Sequence, residues 1–175
     1  MNYIFSAIFL YFFLGFLLYI FQRRIVFNKS GHPGAPKDYN LDNTEEVYIK
    51  TEDNLKLLSW YHKGNNSLPL LVYFHGNSFH IGDRAYRIQR YIEKNWSVLL
   101  VSWRGFGGNK GNPTEKNLYK DAEAVLKWIK NNTEFKFKEL VIYGESLGSG
   151  AAVEMGTKHE FLSIVLEAPF TSINH

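Results

Sequence analysis

The decapeptide at residues 141–150, VIYGESLGSG, sets Ser146 between Gly144 and Gly148 in the pattern G-x-S-x-G. A serine hydroxyl does acyl-transfer chemistry when a sharp bend lifts it clear of the backbone and a neighbouring base takes its proton. The surroundings predict such a bend. Leu140, Val141, Ile142 and Tyr143 form a continuous apolar run, as in a strand buried on both faces, and Ala151, Ala152, Val153 and Met155 continue as a helix. Ser146 is therefore expected on a strand-to-helix turn, where strained angles fall on the serine and the glycines leave room for strand and helix to approach.

Acyl transfer also needs two backbone N–H donors aimed at the oxygen that becomes negative in the tetrahedral intermediate. Leu147, next after the serine, is expected to supply one. The other is expected from Asn77 in FHGNSFH, residues 74–80, which ends an apolar run. His75 in that stretch reads as a brace for the loop, because the general base in this arrangement normally comes last in chain order.

Other chemistries find less support. WRGFGGNKGNPTE, residues 103–115, is rich in glycine, but Lys110 stands where the third glycine of G-x-G-x-x-G would fall from Gly105. It reads as a mobile loop at the carboxyl edge of a sheet, where open α/β sheets place ligands. Asp121 and Glu123 read as the solvated face of the helix that follows. The chain has no cysteine, which excludes disulfides, thiolate metal sites and a cysteine nucleophile. Its six histidines show no metal-ligand spacing, so no metal and no cofactor are expected. The net charge of +3 comes from lysines scattered among glutamates, which does not make a nucleic-acid footprint.

These residues need elements to hold them. Tyr3 to Phe21, YIFSAIFLYFFLGFLLYIF, carries no charge and is long enough to cross a bilayer as a helix. A cleaved signal peptide is the rival, but there is no basic start and no small-x-small cleavage site. Arg23, Arg24, Lys29 and Lys37 follow the apolar run and no Lys or Arg precedes it, so the remaining chain is expected on the cytoplasmic side. The expected organisation is an anchor with a basic flank over 1–27, a Gly- and Pro-rich linker over 28–42, and a folded unit over 43–175. In that unit, Val47–Thr51 and Leu55–His62 read as a hairpin. Leu70–Phe74, Val98–Trp103, Leu140–Tyr143 and Ile164–Leu166 read as buried parallel strands. Helices are expected from about Asp83 to Lys94 and after Pro113, the latter with Thr114 as N-cap.

With these pieces assembled, the chain resembles the α/β-hydrolase superfamily, in particular the single-anchor serine hydrolases of the bud-emergence and protein-depalmitoylase type. Five co-linear stretches carry the likeness: YIKTEDNLKLLSWY, YFHGN, WRGFGGNKGNPTE, YGESLGSGAAVEM and LEAPFTSI. The resemblance implies an α/β fold, a mostly parallel sheet flanked by helices, with an N-terminal transmembrane helix. It implies a membrane-bound esterase or thioesterase acting on small acyl esters or thioesters, Ser146 as nucleophile, and Asn77 and Leu147 as the oxyanion positions. Phe79 and His80 stand where that subgroup usually has Gly and Asn. In the family the triad acid and histidine follow the last two strands, whereas the likeness here ends with the sixth. The sheet is thus expected to lack those strands and Ser146 its base, unless a separate C-terminal half supplies both. Glu167 and His175 are the substitutes at hand, and an inactive fragment serving as a membrane-bound binding module is the alternative. The edge left at Ile164–Leu166 is expected to invite association with another chain.

Overall fold

The computed structural model describes residues 2–26, 28–29 and 31–170; His175, and the side chains of Arg23, Arg24 and Lys29, lie outside the described residues. In chain order the elements are helix α1 (Asn2–Val26), strands β1 (Asn28–Lys29), β2 (Thr44–Lys50), β3 (Lys56–His62), β4 (Leu70–Phe74) and β5 (Ser78–Phe79), helix α2 (Ala85–Ile92), strand β6 (Ser97–Val101), helix α3 (Glu115–Asn132), strand β7 (Leu140–Glu145), helix α4 (Leu147–Lys158) and strand β8 (Ser163–Glu167). Six strands form one sheet in the order β2-β3-β6-β4-β7-β8. The β2–β3 hairpin and the β3–β6 pair are antiparallel, and the pairs β6–β4, β4–β7 and β7–β8 are parallel.

The register explains why the central strands read as unbroken apolar runs. Leu70, Val72, Phe74, Leu99, Val101, Leu140 and Ile142 point to the face covered by α3 and α4. Leu71, Tyr73, Val98 and Leu100 point to the other face, covered by α2, with Val141 and Tyr143 packed beside them. Each strand is buried on both sides, so alternation with polar residues disappears. Helix α3 starts as expected, with the Thr114 hydroxyl accepting the Asn117 N–H at 3.2 Å.

The chain leaves β4 through α2 to reach β6 on one side, then crosses by α3 to β7 on the other. The carboxyl end of β4 is therefore the point where strand order reverses. At such points the loops after neighbouring strands splay apart and leave a crevice.

Two expectations are corrected. Residues 31–41 are more than an extended linker: Pro33, Pro36 and Leu41 are buried, and Tyr39 packs on Trp60 with ring centroids 5.4 Å apart. The glycine-rich segment after β6 is not mobile in character either. Trp103, Arg104 and Phe106 are buried, and the Asn109 side chain donates to the Ser102 carbonyl at 3.1 Å and accepts the Leu58 N–H at 2.8 Å. Its glycines at 105, 107, 108 and 111 all hold positive φ, so they serve tight turns rather than looseness.

Helix α1 stands apart from the sheet. Its stretch Tyr3–Gln22 has mean hydropathy 2.4 and no buried share, so it is long and apolar enough to cross a membrane. At the far side of the sheet, Ile164, Val165 and Leu166 of β8 are 38–40 % exposed, and among the described residues β7 is the strand that pairs with β8. Both faces of that edge strand remain half-open to solvent.

Candidate active site

Ser146 sits between the end of β7 and the start of α4 with φ 46° and ψ −111°. This is a strained backbone for a residue with a Cβ, and it persists because its surroundings over-determine it. The Ser146 N–H donates to the Glu167 carbonyl at 2.8 Å, and the Ser146 carbonyl accepts the Ser149 N–H at 2.8 Å and the Ser149 hydroxyl at 2.6 Å. Both flanking glycines are required by space. A Cβ on Gly148 would lie 2.0 Å from the Phe74 carbonyl oxygen, and one on Gly144 would lie 2.7 Å from the Ser149 Cα. The turn is thus wedged against β4 and against its own helix.

That wedge brings the loop after β4 to the serine. A Cβ added to Gly76 would stand 3.3 Å from the Ser146 Cβ, so the loop at Gly76 lies alongside the serine. Leu147 opens α4, where the first backbone N–H groups have no partner within the helix. The turn, the loop and the helix start therefore meet at the crevice, an arrangement able to hold a developing oxyanion beside a hydroxyl.

A polar strut joins the two loops, and sequence reasoning missed it. Arg84, buried just before α2, donates from Nη1 to the Ser78 carbonyl at 2.6 Å and from Nη2 and Nε to Glu145 at 2.9 and 3.2 Å. The Tyr73 hydroxyl also donates to Glu145, at 2.9 Å. Burial pushes the Glu145 pKa up, but the Arg84 and Tyr73 bonds and the Arg84 charge outweigh it and hold the carboxyl below its usual value. One guanidinium thus fastens the residue before Ser146 to the residue after Asn77. The only signal in the sequence was an arginine amid the apolar positions leading into α2.

Glu167 does not stand free as a triad acid. Its carboxylate accepts from the Tyr143 hydroxyl at 2.6 Å and from Arg87 at 2.5 Å, which lower its pKa. His80 pairs with Asp83 at 3.0 Å. Asp121 is corrected more sharply: it is 0 % exposed and takes the buried Arg104 guanidinium at 2.6 and 2.8 Å, while Glu123 on the same helix is half-buried and pairs with Lys158. Arg104 also reaches Asp53 at 2.7 Å, so it ties the glycine-rich loop to α3 and to the β2–β3 hairpin tip.

His75 is a brace. Its Nδ1–H donates to the Gly76 carbonyl at 2.6 Å in the tautomer that lets Nε2 accept the Trp103 N–H, and the Trp103 indole donates to the His75 carbonyl at 2.8 Å. Burial, then the Arg84 charge, pulls its pKa down from 6.5 to about 4. Between those values the unfolded chain takes up a proton that the folded chain refuses, so the contribution is complete above pH 6.5 and shrinks as pH falls toward 4. A shift of this size corresponds to stability on the order of 3 kcal/mol. His62, lowered by burial, adds in the same direction. Urea midpoints at pH 7 and pH 4.5 are expected to differ by more in the native chain than in His75→Gln; equal differences would remove His75 from this role.

Crossovers over both faces of a mostly parallel sheet, with a strained serine at the strand-to-helix turn beside the β4 loop, define an α/β-hydrolase fold. The chain belongs to the family described as serine aminopeptidase, S33 (Hydrolase_4), whose model matches residues 66–175. It is 32 % identical over 166 residues to an uncharacterized protein of Mycobacterium tuberculosis, covering 91 % of this chain and 58 % of that one. It is 31 % identical over 173 residues to protein bem46 of Schizosaccharomyces pombe, covering 91 % and 57 %. Among solved structures, the esterase Pf2001 of Pyrococcus furiosus superposes with TM-score 0.68 at 28 % identity, over 81 % of this chain and 58 % of that one. The chain thus spans a little over half the length of the curated relatives it matches.

Proposed function

We propose that this protein carries the nucleophile-bearing part of a membrane-anchored serine hydrolase that cleaves carboxylic esters or thioesters through an acyl-serine. The observation that carries the reading is Ser146 at φ 46°, wedged between β7 and α4 with the Gly76 loop against it. In the reaction, the Ser146 Oγ attacks the acyl carbonyl carbon as its proton passes to a base. The Asn77 and Leu147 N–H groups hold the oxyanion, and collapse expels the alkoxide or thiolate, which takes the proton. Water then repeats the sequence on the acyl-serine and releases the acid.

The base is assigned to a portion that follows β8, because among the described residues His75 is engaged with Gly76 and Glu167 with Arg87 and Tyr143. The open edge of β8 is where such a portion, in the same polypeptide or a separate half, would add its strands. The likeness to the Pyrococcus furiosus esterase supports ester chemistry, α1 supports anchoring, and the Arg and Lys residues that follow the apolar run support a cytoplasmic domain.

The test is turnover of a p-nitrophenyl acyl ester and an acyl thioester by the protein combined with the post-β8 portion of the bem46 relative. Hydrolysis that falls by at least about a thousandfold in Ser146→Ala is expected. Equal rates in the two would contradict the reading. No turnover by either, with a folded complex, would favour a non-catalytic binding module.

A further inference from the structure

The segment that leaves the apolar helix returns at once to the candidate site. Strand β1, one residue past the end of α1, pairs in parallel with β5 in the register Asn28↔Ser78 and Lys29↔Phe79. Strand β5 directly follows Asn77. Counting from Gln22, the end of the apolar stretch, four helical residues reach Val26 and the span of two further residues reaches Asn28, a path of at most about 13 Å. Adding one strand spacing of about 5 Å brings the path to Ser78. A domain of this size is roughly 35 Å across, so the near end is settled by these lengths. The carboxyl edge of the sheet, rather than the amino edge, therefore lies nearest the end of α1.

The side chains at the two ends agree with that polarity. Phe79 is 53 % exposed and holds φ 63°, a left-handed backbone that a bulky aromatic rarely adopts. Strain that presents a phenyl ring to water gains nothing for folding, whereas the same ring at a lipid interface is buried. Tyr86, exposed on α2 with the Arg87 guanidinium 5.7 Å from its ring centre, has the amphipathic character of interfacial aromatics. Phe170, also exposed, lies against Gly150 in the first turns of α4. At the opposite edge, just before β7 and β8, Lys138 and Glu160 pair at 2.8 Å, and one exposed apolar side chain, Leu162, stands beside them.

We propose that the mouth of the Ser146 crevice is apposed to the membrane surface, with Phe79 and Tyr86 seated in the bilayer interface. This rests on the reading of α1 as an anchor. A site so placed receives acyl esters or thioesters whose acyl chain is held in the leaflet, with the scissile carbonyl at headgroup level, rather than substrates diffusing from solution.

The absence of native cysteine makes the test direct. Phe79→Cys, Tyr86→Cys and Lys138→Cys are each labelled with an environment-sensitive fluorophore in phosphatidylcholine vesicles containing lipid with a nitroxide near the headgroup. Quenching at 79 and 86 is expected to exceed that at 138 several-fold, and Tyr86→Cys reports independently should Phe79→Cys disturb the loop. Equal quenching at all three positions, in protein that resists alkaline carbonate extraction, would overturn the apposition while leaving the anchor intact. Extraction of the protein by carbonate would remove the anchor and this proposal with it. Labels at 79 and 86 that are shielded from aqueous quencher yet untouched by the lipid nitroxide would show that protein covers them, and would also overturn it.

Discussion

Gly148→Ala is expected to unfold the turn that presents Ser146. The added methyl would stand 2.0 Å from the Phe74 carbonyl oxygen and 2.6 Å from its carbon, both backbone atoms of the central strand β4. No rotamer change relieves that overlap. Either α4 lifts from β4 or β4 shifts, and each disrupts the packing of Leu147, Ala151 and Ala152 in the core shared by the sheet, α3 and α4. A cost of about 3 kcal/mol or more follows from overpacking against a rigid neighbour. Urea denaturation is expected to show the loss, and amide exchange is expected to localise it to β7 and α4. A variant with the native midpoint would mean that helix and strand are not in the contact described. Gly150→Ala is the matched control, because its nearest neighbour would be the Phe170 ring at an ordinary 3.4 Å.

Asp121→Ala is expected to have an effect of similar size for an electrostatic reason. The carboxylate is buried against Arg104, which is itself 2 % exposed, and it takes both the Nε and Nη2 donors and the Arg104 N–H at 3.1 Å. Removing it leaves a guanidinium in the core with only Asp53, on the hairpin tip, as counter-charge. Breaking a buried pair from one side typically costs about 3–5 kcal/mol. The Arg104→Met, Asp121→Leu double variant, which removes both charges, is expected to recover much of that loss. A double variant no better than Asp121→Ala would mean that the lost packing and backbone bonds, not the stranded charge, dominate.

How much of this is legible in the sequence depends on whether the determining contact is local. The turn at Ser146 is readable because its signals are local: a run of strand, a pair of glycines, a run of helix. Its packing against Phe74 and Glu167 is not local. The central strands are readable because burial on both faces leaves continuous apolar runs, and the Thr114 cap because its partner is three residues away. Asp121 is misread because Arg104 is 17 residues distant, although its place on the Leu118–Ala122–Val125 stripe is a signal that the carboxylate faces inward. Residues 31–41 read as a linker because Pro36, Tyr39 and Leu41 pack without any period to announce it. The glycines after β6 read as mobile, since sequence does not distinguish a glycine that is free from one that alone can hold a positive φ. Arg84 reaches Glu145 across 61 residues, and Phe79 holds a left-handed backbone that no local pattern announces. Neither is visible until the chain is folded.

The most direct test is mass-mapping of a fluorophosphonate adduct on the protein joined to the post-β8 portion of its bem46 relative. The result expected is a single phosphonylated serine at 146, absent in Ser146→Ala, with labelling slowed when Glu145→Gln loosens the Arg84 link between the two loops. Adduct on a different serine, or equal labelling of Ser146→Ala, would contradict the assignment of this hydroxyl as the nucleophile.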